Sequence, residues 1–399
     1  VMNMSNRAAG RSGMGAVMGS KKLKAIVLQG RTKPEFHDSK AILALARWGA
    51  ENFEKSGSYG LSLSGTGGGL SYQHRGGSLP THNWSSGAFE GHEAINGITM
   101  KETMKVDWET CFACMVRCKP AVEITEGDYL VDPRYDGPEY ETLATFGSYC
   151  GVDNLPAVAK ANELCNKYGM DTISCGATIA WAMDAFEQGY ITAEDTGGLE
   201  LTFGNAAAMV QLVEQIGERR NFGALLGEGS LRAAQQFGPA AQDLTVTVKG
   251  YELPAHMPQI KRALGLVYAI NAFGADHMSG GHDTSYSRPN ERYASIGLND
   301  PQPADSVGPA KVRFALYTHW THTAVNSLGV CAFVYGTWPL YNYDQLVQLV
   351  SACTGWEFTT FELVKLGERS VNLHRAFTAR EGFGKDDDVL PKKMQQALV

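Results

Sequence analysis

The stretch that most limits what this chain can become is "DTISCGATIAWAMDAFEQG", residues 171–189. It reads as a helix apolar on nearly every side, and such a helix has to be enclosed by other elements. It follows directly on "DNLPAVAKANELCNKYG" (153–169), a second helix with complete start and stop signals. Asp153 and Asn154 precede it, Pro156 sits in its first turn, and Gly169 stands at its end. Leu155, Val158, Ala159, Leu164, Cys165 and Tyr168 fall close to one face. Helical periods also mark 41–57, 204–218, 229–238, 343–355 and 359–382. Strand signals are sparse after residue 30, "DLTVTVKG" (243–250) being the clearest. Earlier, "LKAIVL" (23–28) reads as a strand after a Gly-rich turn and a short helix-like stretch, and "RTKPEFHDSK" (31–40) as a linker. Residues 56–92, rich in Gly, Ser, Thr and His, read as loop. The expectation is an α+β protein, with residues 1–35 the end of a β-containing domain and residues 36–399 mainly helical.

A chain of 399 residues can bury a sizeable core in two or three domains. Its net charge of −7 argues against nucleic acid, which wants clustered Lys and Arg. Apolar runs such as "GATIAWAM" fall far short of a membrane span, and no signal peptide is visible. The chain opens on Val1 in what reads as the middle of an element, so a further N-terminal portion is expected outside it. The eight cysteines do not form a disulfide scaffold. Cys150, Cys165, Cys175 and Cys353 lie in apolar or helical surroundings and read as small hydrophobes.

The other cysteines carry chemistry. "CFACMVRC" (111–118) places Cys111, Cys114 and Cys118 at C-x2-C-x3-C. In a reducing cytosol such an array reads as metal binding, and the protein is expected to be cytoplasmic. Iron–sulfur clusters and zinc both accept thiolates at this spacing. Zinc sites usually come as two pairs and no second pair exists here, so a three-plus-one [4Fe–4S] site fits better. Spacing leaves the fourth ligand open among the five remaining cysteines.

Eight blocks occur in order: "RAAGRSGMGAVMGSKKLKAI", "LPTHNW", "CFACMVRC", "GPEYETLATFGSYCG", "ANELCNKYGMDTISCGATIAWAM", "LLGEGSLRAA", "GADH" and "NSLGVCAF". Together they resemble the aldehyde ferredoxin oxidoreductases, tungsten enzymes that carry a bis-pterin cofactor beside a [4Fe–4S] cluster. The resemblance covers essentially the whole chain. It implies a β-rich N-terminal pterin-binding domain, of which only residues 1–35 are present, followed by two mainly helical domains at 36–245 and 246–399. It also implies that the chain stops short of the family's usual C-terminal tail.

The resemblance implies site residues as well. Cys331, in "NSLGVC", takes the place of the fourth cluster ligand. "NKYGMD" (Asn166, Gly169, Asp171) and "NSLGVC" (Asn326, Gly329, Val330) match the paired pterin-binding turns. A Gly in each lets backbone approach a flat ring, and Asn stands where the family commonly has Asp. Read by itself, N-x-x-G is an ordinary helix C-cap. Arg7, Ala8, Gly10 and Arg11 fall at the pterin phosphates, with the Ala8 carbonyl reaching a bridging magnesium ion. Gly-rich turns of this kind, here with Gly13 and Gly15, suit anions.

Aldehyde oxidation needs a base and a group that polarises the carbonyl. Glu141 is the implied base, with Glu139 as the alternative. His277 is the implied polarising donor, with His282 close behind, and Phe273 stands where relatives often carry Arg. His74, His82, His319 and His322 are further candidates to line the cavity. The implied partners are an aldehyde, a ferredoxin or iron–sulfur subunit as electron acceptor, and further copies or subunits in a homo-oligomer or hetero-complex. Molybdenum in place of tungsten is open. Two other readings stand beside this one: a related tungsten-pterin reductase acting on aryl-CoA esters or carboxylic acids, and a non-enzymatic helical protein stabilised by zinc or a cluster.

Overall fold

The computed structural model describes residues 2–3, 5–8, 10–336 and 339–396. Helices dominate, and the named strands form three two-stranded antiparallel ladders, so the chain is α+β. The helix Leu155–Tyr168 starts where Asn154 accepts the Ala157 N–H at 3.0 Å, and it ends at Gly169, held left-handed at φ 72°. Asp171 then caps Thr172–Glu187, whose side chains are buried on almost every side from Ile173 to Ala185. Enclosure is close. At Gly176 an added Cβ would lie 2.8 Å from the carbonyl carbon of Thr145. That neighbour belongs to a π-helical turn, Ala144–Ser148, continuing from the short helix Tyr140–Leu143.

The main apolar cluster gathers residues from Leu70 to Ala275 and closes over Met394 from the C-terminal segment. Lys393 anchors that segment on Asp184 at 2.5 Å. A second cluster forms around Pro309–Ser327 and Thr360–Arg380. These two helices cross at Gly367, where an added Cβ would lie 1.8 Å from the Trp320 carbonyl oxygen.

Three expectations change. Residues 23–28 form no strand: among the described residues they join no ladder, and Val27 and Leu28 are 90% and 88% exposed. Without a partner ladder, β propensity yields only extended chain. Residues 56–92 are not open loop. They hold the helices Tyr59–Ser64 and Leu70–Arg75 and bury Leu61, Leu70, Leu79 and Trp84. The glycines there permit close packing. An added Cβ at Gly67 would meet Leu143 Cδ1 at 2.6 Å and the Gly97 Cα at 3.2 Å. Finally, "DLTVTVKG" contributes only Thr247–Val248, paired with Tyr251–Glu252 around Lys249 (φ 54°) and Gly250 (φ 76°). A longer hairpin that sequence reading missed pairs Lys105–Glu109 with Lys119–Glu123.

Candidate active site and cysteine loop

The missed hairpin explains the cysteine array. Its last pair is Glu109 with Lys119, so residues 110–118 are the connecting loop. The Thr110 hydroxyl donates to the Cys114 carbonyl at 2.5 Å, and the Cys114 N–H donates to the Cys111 carbonyl at 3.1 Å. Ala113 and Arg117 are left-handed, at φ 54° and 48°. For non-glycine residues that costs about 1–2 kcal/mol each, and such strain clusters where a loop is shaped for a ligand.

Cys331 comes from far along the chain, immediately before the helix Ala332–Tyr335. Its charge acts on Cys118, and those of Cys111 and Cys114 act on it, so the four thiols share one electrostatic environment. Burial, then Glu139, pushes the Cys118 thiol up to about 12, and burial also raises Cys331. A bound positive centre would favour the thiolates of such groups. A lone zinc with Zn–S bonds of about 2.3 Å would gather its sulfurs to about 4 Å from one another. Among the described residues, Glu141, His256 and His277 are the trio whose ligand atoms all lie within 4.8 Å of one another, and no cysteine joins them. Thiolates at this spacing are of the kind that iron–sulfur clusters accept. Cys150, Cys165 and Cys175 are buried and Cys353 is half-buried.

A cavity of about 480 Å3 opens beside this loop, between the N-terminal turn, the 140–143 helix, the 166–173 turn and the 273–278 loop. Glu139 and Glu141 both line it, but their settings differ. Glu139 accepts from the Thr66 hydroxyl at 2.5 Å and lies 3.7 Å from the Lys119 ammonium, at the base of the cysteine hairpin. Glu141 is buried. Its Oε2 accepts the Ala255 N–H at 2.8 Å, and its Oε1 stands 3.4 Å from His256 Nε2 and 3.5 Å from His277 Nε2. Neither contact has hydrogen-bond geometry, so Oε1 is a buried acceptor without a partner, and Nδ1 of His277 is likewise a buried polar atom without one.

The two candidate histidines separate cleanly. His277 lines the cavity. His282 is turned behind it, its Nε2 on the His277 carbonyl at 3.1 Å and its Nδ1 facing Lys261. His319 and His322 brace the same loop from beneath, on the carbonyls of Ser279 (2.6 Å) and Met278 (2.9 Å). His74 stacks on His92, His82 lies against Phe203, and neither lines the cavity. His256 and Lys261 were not anticipated, and "HMPQIK" carries no spacing that would single them out.

Both arginines expected to face an anion are engaged with carboxylates. Arg7 binds Asp136 at 2.5 Å and Glu109 at 2.9 Å. Burial lifts Asp136 to about 6, against the pull of Arg7. Arg11 reaches Asp171 at 3.1 Å and the Glu252 carbonyl at 2.7 Å, and lies 3.8 Å over the Tyr251 ring. Ala8, Gly10 and Arg11 nevertheless line the cavity.

The two glycine turns are both helix ends, Gly169 at φ 72° and Gly329 at φ 69°. Asn166 donates to the Tyr135 carbonyl at 2.7 Å and lines the main cavity. Asn326 lines a neighbouring cavity of about 220 Å3, and Phe273 lines both. Among the described residues, an added Cβ at Gly329 would meet nothing within 4 Å, and one at Gly169 would meet only Met2, at 3.6 Å. Open space at both turns, side-chain amides at each and two orphaned polar atoms between them fit a large flat heterocycle rich in donors and acceptors.

Comparison with known proteins accords with this geometry. The family model described as aldehyde ferredoxin oxidoreductase, domains 2 & 3, matches residues 44–399, and that of the N-terminal domain matches residues 1–30. Tungsten-containing aldehyde ferredoxin oxidoreductases from Pyrococcus abyssi and Pyrococcus furiosus are each 33% identical, over 99% and 98% of this chain and 63% of their own length. The chain thus spans 63% of the length of these curated relatives. An aliphatic sulfonate oxidoreductase, WOR-like subunit, from Pyrococcus furiosus is 31% identical over 70% of the chain and 45% of its own length. The solved active site complex BamBC of benzoyl coenzyme A reductase, with 1,5-dienoyl-CoA, superposes with a TM-score of 0.74 at 19% identity. It covers 96% of this chain and 63% of its own, a likeness of fold alone.

Proposed function

Since this chain belongs to the aldehyde ferredoxin oxidoreductase family, we propose that it oxidises an aldehyde to the carboxylic acid at a tungsten bis-pterin centre. A [4Fe–4S] cluster, when bound, would supply the route for electrons to a ferredoxin or an iron–sulfur partner subunit. The observation that carries the reading is the meeting of Glu141 and His277 on one cavity wall, each with a buried polar atom lacking a partner.

The bound cofactor supplies two-electron acceptance beside the substrate carbon. The chain's residues hold, orient and move protons. Cys111, Cys114, Cys118 and Cys331 would hold the cluster. Asn166, Gly169 and Asp171 would meet one pterin, and Asn326, Gly329 and Val330 the other. Arg7, Ala8, Gly10 and Arg11 would take the phosphate end with its magnesium ion, each arginine keeping its own carboxylate partner. The net reaction joins one water oxygen to the carbonyl carbon and releases two protons and two electrons. Glu141 Oε1 takes a proton from water or from the aldehyde hydrate. His277 donates to the substrate oxygen and polarises the carbonyl. The division at 1–35, 36–245 and 246–399, a cytoplasmic location and assembly with further copies or subunits complete the proposal.

Metal and cofactor analysis of purified protein tests it. The expected result is tungsten, pterin and about four irons per chain, with aldehyde-dependent viologen reduction. Reduction of aryl-CoA esters or carboxylic acids without aldehyde oxidation would replace the reaction assigned here. Zinc without tungsten or pterin would overturn the reading altogether.

A further inference from the structure

Behind Glu141, on the side away from the cavity, lies a lysine that none of the roles above uses. Lys261 is 0% exposed. Its Nζ lies 2.9 Å from Gln73 Oε1, 2.9 Å from His256 Nδ1 and 3.4 Å from His282 Nδ1. Among the described residues no carboxylate comes within ion-pair distance of it, and Asp283 and Glu141 act on it only from further away. A buried cation without a paired anion is costly.

The tautomers around it follow from the geometry. His282 Nε2 faces the His277 carbonyl, which only accepts, so Nε2 carries the hydrogen and Nδ1 presents a lone pair to Lys261. Burial holds both His256 and His282 well below the usual histidine range, so both are neutral. His256 alone is free to change tautomer. Its Nδ1 faces Lys261, and its Nε2 faces the unpartnered Oε1 of Glu141 at 3.4 Å.

This pocket satisfies lysine in either protonation state. An ammonium has three donors, and Gln73, His282 and His256 offer three acceptors. A neutral amine donates twice, to Gln73 and His282, and its lone pair accepts from the Nδ1–H of His256.

We propose that Lys261 is the proton store for Glu141, a positioning residue joined to it through the imidazole of His256 when Nε2 and Oε1 close from 3.4 Å to hydrogen-bond distance. A protonated Glu141 gives its proton to His256 Nε2 while His256 Nδ1 gives its own to the Lys261 amine. One O–H and one N–H bond break and two N–H bonds form. The pair changes from carboxylic acid and amine to carboxylate and ammonium, the imidazole ends neutral, and Glu141 is reset as a base. Burial, opposed by Asp283 and Glu141, brings Lys261 down to about 7, where both of its forms are populated near neutrality. The use of the relay in turnover rests on the aldehyde oxidation proposed above.

The test uses the purified holoenzyme labelled with 15N-histidine. As pH is raised through about 7, His256 is expected to move from the Nε2–H toward the Nδ1–H tautomer, with no such change at His282. In Lys261→Arg, whose side chain does not give up its proton, His256 stays Nε2–H throughout. In turnover, Lys261→Arg and Lys261→Gln are expected to lower kcat about tenfold or more, with KM little changed and the limb of the pH profile near neutrality flattened. A single His256 tautomer across that range in the unmodified protein, or variants with the wild-type kcat and pH profile, would overturn the relay. A His256 switch in a protein that oxidises no aldehyde would leave the relay standing and remove the reaction assigned above. Aldehyde oxidation without the switch would remove the relay alone.

Discussion

Arg11 and Asp171, 160 residues apart in sequence, hold each other at 3.1 Å beside the candidate active-site cavity. The same carboxylate accepts the Ile173 N–H and begins the buried helix Thr172–Glu187. One side chain therefore ties the N-terminal turn to the centre of the helical core. Asp171→Ala leaves Arg11 largely buried without its anion and removes the cap. Losing one partner of a buried pair costs about 3–5 kcal/mol, and losing a cap about 1 kcal/mol. Asp171→Asn also removes the anion but keeps a capping oxygen, and is expected to cost about 1 kcal/mol less. Denaturant midpoints of the two variants check the order.

Glu141→Gln keeps an acceptor for the Ala255 N–H but cannot take a proton. Its aldehyde oxidation should fall roughly 10²–10⁴-fold with thermal stability nearly unchanged. Glu139→Gln, whose partners are Thr66 and Lys119, should lose less than about 10²-fold, the floor of general acid–base effects. Steady-state rates of the pair decide between the two carboxylates.

Cys331→Ser tests the link between distant segments. The three loop cysteines remain, but the ligand set is short by one, and iron per chain should drop with loss of the cluster's paramagnetic signal. Iron retained at the wild-type level would mean that another group completes the site.

Lys261 gives stability a predictable pH dependence. Its value is about 7 folded, against 10.5 as the ordinary one. Between these limits the unfolded chain holds a proton that the folded chain lacks, so stability rises with pH across that window. Below about 7 both states are protonated and the full cost of the buried charge is present. The slope is at most about 1.4 kcal/mol per pH unit. Lys261→Met should flatten the curve of unfolding free energy between pH 7 and 10.5.

Two glycines should respond differently to alanine. At Gly97 the new Cβ lies 2.5 Å from the Ser64 carbonyl oxygen, and overpacking of that kind costs about 1–3 kcal/mol. At Gly329 nothing is in the way, and only the left-handed backbone resists, at about 1 kcal/mol. If Gly329→Ala nonetheless lowers pterin content with little change in melting temperature, the space beside that turn belongs to the cofactor.

Local chemistry made a good part of this protein legible in advance. Capping by Asn154, the stop at Gly169, the apolar surround of 172–187 and the spacing of Cys111, Cys114 and Cys118 act over a few residues, so they can be read in order along the chain. What faces the cavity was decided at longer range. Glu141 rather than Glu139 meets His277 because the N–H of Ala255, 114 residues on, holds its other oxygen. His277 rather than His282 lines the wall because the carbonyl of His277 and the ammonium of Lys261 turn His282 inward. Residues 23–28 have strand composition but no partner ladder, and residues 56–92 have loop composition yet pack tightly through their glycines. Hydrogen-bond pairing and close packing belong to two segments at once, which is why neither could be read from one segment alone.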